Sequence, residues 1–428
     1  LHTDTNTSTS RRRAYLLFLF VAGASSLFGA LYGTVSGVYR VRAAGLNPLQ
    51  LVLVGTVLEG TAFLFSIPTG VFADSYSRRL SIIIGTLLTG AGFTLEGAVP
   101  RFGVILIAQV MWGLGYCFIS GAQEAWITDE IGSDNATHIF VRASQVGEIA
   151  GLAGIAGCVA LASIRLNLPM LAGGLLTVAL GILLVFVMPE HGFHRAPGEQ
   201  RPSVRTMAET LRRSARVVRT TPVLMSVLAA VVFYGMSSEG FDRLWQAHFL
   251  ENFRFPPLGH FAPVVWFGVI AVMSALLSMG VSEVVRRRLD TRNHRASVRA
   301  FFAINVGLIA GVALFGVTGN FFVALGTYLV VSVLRSTRNP IYTAWLTQRT
   351  DSNVRATVLS MSDQSDALGQ IAGGPIIGLV GTLNGLRAAF VATAGFLSPS
   401  LLLFVIAARQ GDATAVGAQA ELQPVAER

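Results

Sequence analysis

Lysine is absent from this 428-residue chain, so all 32 of its basic residues are arginine. Charge of either sign is scarce: 13% of residues are charged, against about 25% in soluble domains. Cysteine is rarer still. Cys117 and Cys158 each fall inside an apolar run, which excludes a disulfide framework and a cysteine metal site and leaves packing as their expected role. Nucleophile elbows, phosphate loops and metal-ligand clusters are missing too, so an enzyme is not expected, and neither a cofactor nor a metal. The ten-residue alternations of a membrane β-barrel are also lacking.

What the chain does have is apolar length. Hydrophobic residues make up 52% of it, gathered into runs of about twenty, enough for a helix to cross a bilayer. Twelve spans are predicted: 14–39, 48–70, 80–99, 102–126, 138–163, 168–189, 222–249, 261–285, 299–317, 319–346, 356–382 and 386–408. The first follows Arg11-Arg12-Arg13, is too long for a signal peptide and lacks a cleavage site. The longest connection, 190–221, divides two sets of six. Val204, Met207, Leu211, Ala215 and Val218 recur along it at helical spacing opposite Arg205, Arg212, Arg213, Arg216 and Arg219. That pattern suits an amphipathic helix on an anionic lipid surface, and equally a solvated linker. The expected organisation is a tail 1–13, a six-helix bundle 14–189, a linker 190–221, a second bundle 222–408 and a tail 409–428.

The stretch Gly70-Val71-Phe72-Ala73-Asp74-Ser75-Tyr76-Ser77-Arg78-Arg79 lies between the second and third runs. Its charges are costly in hydrocarbon and mark a tight surface turn. The arginine pair assigns it to the cytoplasmic side, where basic residues accumulate. Counting outward from it puts both termini in the cytoplasm. Arg40, Arg42, Arg101, Arg165, Arg254 and Arg387 then fall on the opposite side, Arg243, Arg335 and Arg338 within spans, and most arginines on the cytoplasmic side. Basic residues spread over the loops of one face do not suggest nucleic acid as a partner, despite a net charge of +9.

The halves repeat. Ala125-Trp126-Ile127-Thr128 is echoed by Ala344-Trp345-Leu346-Thr347, and Val141-Arg142-Ala143-Ser144 by Val354-Arg355-Ala356-Thr357. Gly280-Val281-Ser282-Glu283 before Arg286-Arg287-Arg288 echoes the Gly70 turn more loosely. Internal repeats of this kind are a transporter signature. Trp126 and Trp345 are expected in interfacial belts.

Gly70, Ala73, Asp74, Arg78 and Arg79, with the twelve spans and the basic central loop, resemble the major facilitator superfamily over nearly the whole chain. The resemblance implies an all-α membrane protein, two pseudo-symmetric six-helix bundles and transport by alternating access. The stretches 120–126 and 355–361 look like those of bacterial drug-efflux-type members. Two departures stand against that likeness. Gln109 occupies the position where proton antiporters of the superfamily usually carry arginine. Gly147, Gly151, Gly154 and Gly157 lack the Gly-Pro that completes the antiporter motif of span five; Gly374-Pro375 with Gly378 appears in span eleven instead.

Ionisable residues within spans are functional candidates by default. Arginine does not deprotonate, and the seven histidines fall at span ends, in loops or in tails, so carboxylates must carry any coupled proton. Glu59, Glu148 and Asp366 are the candidates, the first two because no cation lies near them in sequence. Glu239, Asp242, Arg243, Arg335, Arg338, Asp363, Trp112 and Tyr234 are candidates for a substrate cavity. By depth, Arg335 and Arg338 are expected to meet Asp363 and Asp366. Gly70, Asp74, Arg78, Arg79, Glu124, Asp129 and Arg142 form an expected conformational gate, in which Gly70 admits close helix approach.

The function expected is proton-coupled export of a neutral or cationic amphipathic small molecule by a monomer in the inner (plasma) membrane, in contact with lipid. Transport of an organic anion on Arg335 and Arg338 is the alternative. A non-transporting receptor or scaffold on the same fold is a third class, disfavoured by two complete charged half-repeats and short outer loops.

Overall fold

The structure, a computed structural model, describes residues 2–132, 136–193, 222–257, 263–288, 294–348 and 352–421. The predicted amphipathic segment of the linker lies outside them. Among the described residues fourteen helices run in order: α1 His2–Gly33, α2 Ser36–Arg42, α3 Pro48–Ser75, α4 Arg78–Ala98, α5 Phe102–Ile119, α6 Ala122–Ile131, α7 Ala136–Ile164, α8 Leu168–Val187, α9 Pro222–Asn252, α10 Val265–Arg288, α11 His294–Val317, α12 Phe321–Gln348, α13 Ser352–Asn384 and α14 Leu386–Glu421. Two predicted spans are broken helices: α1 with α2, and α5 with α6. The second break turns on Gly121 at φ +76°, a left-handed conformation that glycine adopts without strain.

Eleven stretches among the described residues are long and apolar enough to cross a membrane. The predicted eleventh span is equally helical as α13, but Asp363, Gln364, Asp366 and Gln370 leave it more polar than the rest. Local signals set the ends. Asn47 and Gln50 form a reciprocal capping box ahead of α3, with side chain to backbone distances of 2.9 and 3.1 Å. Ser77 caps α4 by accepting from the Leu80 amide at 2.9 Å.

Contacts group the chain into two compact units, Leu1–Met207 with Arg254–Val272 and Ala208–Phe253 with Met273–Arg428. In the first, α1 packs on α7 and α8, and α4 on α5 and α8. In the second, α9 packs on α13 and α14, and α11 on α12 and α14. Shifted by six spans, these are the same pairings, so the sequence repeat is also a packing repeat. Close approach in the first unit comes from small residues: a methyl group on Gly85 would lie 2.6 Å from the Gly115 carbonyl oxygen, and one on Gly90 2.6 Å from the Val178 amide. Gly70 has nothing within 4 Å of a Cβ position.

Candidate functional site

Three constellations of charge stand out. The first closes the Gly70 turn. Arg78 is ion-paired with Asp129 of α6 and donates to the Ala125 carbonyl at 3.0 Å. Asp74 stands 3.6 Å from Arg78 and remains exposed. Glu190 ties the turn down from the far end of the unit's sequence, accepting from the Ser77 hydroxyl at 2.7 Å and the Arg79 amide at 3.0 Å. The Arg79 guanidinium donates to the Val185 carbonyl. Of the other expected gate residues, Glu124 and Arg142 are exposed. Trp126 is buried and donates to the Pro189 carbonyl at 2.7 Å, and Trp345 is buried too. Both indoles are packed inside the protein.

The second constellation was missed from the sequence. Arg40, assigned to a surface loop, lies 5% exposed in α2, and Glu96 is fully buried in α4. The Arg40 Nε donates to Glu96 Oε1 at 2.7 Å and its Nη2 to the Tyr32 hydroxyl at 2.9 Å. Tyr32 donates to Glu96 Oε2 at 2.6 Å, and so does Gln109 Nε2 at 2.7 Å. Tyr32 stacks on Phe93 at 3.7 Å, with Trp112 edge-on to both. Trp112 therefore belongs to this cluster. Arg40 lies on α2, after the break that follows Gly33, and Glu96 lies on α4. The signal was present: Glu96 is a carboxylate inside the third apolar run.

The third constellation is a cavity of about 250 Å³ inside the second unit. Val231, Tyr234, Ser238 and Asp242 line it from α9, Arg335, Arg338, Asn339, Tyr342 and Thr343 from α12, and Leu359, Ser362, Asp363, Asp366 and Gln370 from α13. Steps of three and four within each set make one stripe per helix. The polar members could have been read from the sequence as stripes, though not the convergence of the three helices. Gly369 and Gly373 let α13 approach α9: a methyl group on Gly373 would lie 2.5 Å from the Met236 Cα.

Arg335 and Asp242 form a two-pronged pair, both bonds at 2.6 Å. The partner is thus on α9, not Asp363 or Asp366 as depth alone suggested, because α9 supplies a carboxylate in the fork geometry that guanidinium favours. Asp366 accepts from Gln370 at 2.8 Å, and Tyr342 and Ser362 share a hydroxyl–hydroxyl bond of 2.7 Å. Arg338 differs. It is 2% exposed, with its guanidinium 3.5 Å from the Tyr234 ring centre and farther out over Phe301 and Tyr342. Its Nε and Nη2 have no hydrogen-bond partner among the described residues.

Glu239 and Arg243 pair with each other at 2.9 Å and lie outside the cavity lining. Glu59 is half-buried in α3. Glu148 is exposed on α7, so the burial expected of it is not found. Among the described residues, no group of three or more His, Cys, Asp or Glu could hold a metal ion.

Two internally repeated units of spanning helices, one holding a polar cavity at membrane depth, define a multi-pass membrane transporter. The family model described as Major Facilitator Superfamily matches residues 14–365, and the chain belongs to that superfamily of secondary transporters. A relative in Bacillus subtilis (strain 168), named as the MFS-type transporter YxaM, is 23% identical over 393 residues, covering 89% of this chain and 94% of that one. Among solved structures, the nucleoside transporter NupG superposes with a TM-score of 0.75 at 14% identity, covering 92% of this chain and 99% of its own. The peptide transporter POT in complex with sulfate gives 0.72 at 13%, covering 94% and 95%. The human organic anion transporter MFSD10 gives 0.59 at 16%, covering 92% and 99%.

Proposed function

We propose that this protein moves a small organic solute bearing an anionic group, by alternating access, and that Arg338 anchors that group. The unpartnered Nε and Nη2 of Arg338 carry the reading. A buried donor without an acceptor costs about 1–3 kcal/mol, more when charged, and an anionic ligand removes that cost. Arg335, expected as a second ligand, is already neutralised by Asp242. The volume also supports a small solute: drug-sized ligands occupy pockets of about 300–1,000 Å³, and this cavity is about 250 Å³. Asp366, beside Arg338 in the lining, is the best-placed proton carrier of the three candidates.

Proton-driven export of a neutral or cationic amphipathic compound is the second reading. Asp242, Asp363 and Asp366 outnumber the two arginines of the lining, which favours it. The arginine distribution supports an inner-membrane protein with both termini cytoplasmic. Proteoliposomes with an imposed pH gradient, offered anionic, neutral and cationic solutes, test both readings. Under the first, anions move and Arg338→Gln abolishes their movement. Gradient-driven movement of cations alone, untouched by Arg338→Gln, would overturn it in favour of the second.

A further inference from the structure

Asp363 lines the same cavity as Arg338 and, among the described residues, has no ion-pair partner. We infer that the solute is a zwitterion, its carboxylate taken edge-on by Arg338 and its ammonium by Asp363. This rests on the anion reading above and narrows it.

The geometry of Arg338 selects the anionic group. Tyr234 covers a face of the guanidinium at 3.5 Å, so a ligand reaches it by the edge. Nε–H and one Nη2–H lie on the same edge as a parallel fork, and both nitrogens are unpartnered. A fork of that shape matches the two coplanar oxygens of a carboxylate.

Charge balance selects the rest. Five ionisable acids and arginines line the cavity, and Arg335 and Asp242 cancel as a pair. Arg338, Asp363 and Asp366 remain. A simple anion on Arg338 would leave the carboxylates of Asp363 and Asp366 without a counter-charge. A simple cation would balance the count but leave the Nε and Nη2 donors of Arg338 buried without an acceptor. Both are costly. A zwitterion satisfies Arg338 and Asp363 together, and a proton on Asp366, already held by Gln370 at 2.8 Å, closes the balance to neutrality. One solute molecule and one proton then enter as a unit.

The test uses the full-length protein in detergent and thermal-shift titration. The probes are glycine, 4-aminobutyrate and 6-aminohexanoate, each beside the carboxylate lacking the amine (acetate, butyrate, hexanoate) and the alkylamine lacking the carboxylate. At least one amino carboxylate should bind about tenfold or more tighter than both of its truncated analogues, the increment of one charge-assisted hydrogen bond. Asp363→Asn should erase that advantage, with the plain carboxylate binding at least as tightly as before because one unmet negative charge is gone. Arg338→Gln should abolish both, and Arg338→Lys, which keeps the charge but loses the fork, should weaken both, providing the test if the glutamine variant does not fold. Equal binding of every amino carboxylate and its plain carboxylate, indifferent to Asp363→Asn, would sink the zwitterion and spare the anion reading. Binding indifferent to both Arg338 variants would sink both. Absence of saturable binding by any amino carboxylate would also overturn the inference.

Discussion

Arg40 and Glu96 are 5% and 0% exposed and meet at 2.7 Å. Removing one partner of such a pair strands the other charge away from water. Glu96→Gln should therefore cost about 3–5 kcal/mol, read as a lowered unfolding midpoint in detergent. Replacing both residues by apolar ones of similar volume, Arg40→Met with Glu96→Leu, should recover most of the loss, because no charge is then left behind. If the double variant is as unstable as Glu96→Gln, the Tyr32 and Gln109 hydrogen bonds carry the stability instead. Gln109 gains a physical reading here. Arginine is usual at its position in proton antiporters of the superfamily, and in this chain the cation beside Glu96 comes from Arg40.

At the scale of the helix, the cavity depends on how closely α13 lies against α9. Gly369 and Gly373 face α9 within one turn of each other, and Gly235 faces α13 at Asp366. Gly373→Leu would drive a branched side chain into the Met236 backbone. Overpacking of this kind costs about 1–3 kcal/mol. Because Asp363 and Asp366 ride on the same helix, it should also weaken solute binding. Gly70→Ala should cost far less, since nothing lies within 4 Å of its Cβ position. Thermal melting of the two variants side by side checks the contrast.

At the scale of the whole molecule, alternating access needs contacts that exist in only one state. Within the Gly70 turn, Asp129 holds Arg78, and Asp74 stays exposed. Asp129→Asn should therefore lower stability, and Asp74→Asn should leave it unchanged. If Asp74 helps latch the cytoplasmic side in the outward-open state, Asp74→Asn should slow transport and shift the population inward-open. A reporter cysteine at Ser238, in a background without the buried Cys117 and Cys158, should then label more readily from the cytoplasm. Unaltered labelling with normal transport would leave Arg78 and Arg79 a purely topological role.

Apolar length, the arginine turn and the echo of Trp126 in Trp345 were enough to read a twelve-span, two-fold-repeated membrane transporter, because hydrocarbon thickness and unpaired backbone groups permit few alternatives. The intramembrane charges Arg335, Arg338, Asp363 and Asp366 were legible for the same reason: each is too costly in lipid to be idle. Their partners were not. A helical stripe states which residues share a face, but not which helix that face meets. Only packing decided that Arg335 takes Asp242 and that the Nε and Nη2 of Arg338 are left without an acceptor among the described residues. Only the fold decided that Arg40 turns inward to Glu96, since hydropathy measures an average along the chain and is blind to the direction of one side chain. The spans follow from composition; the pairing of charges follows from helix contacts between residues up to 93 positions apart.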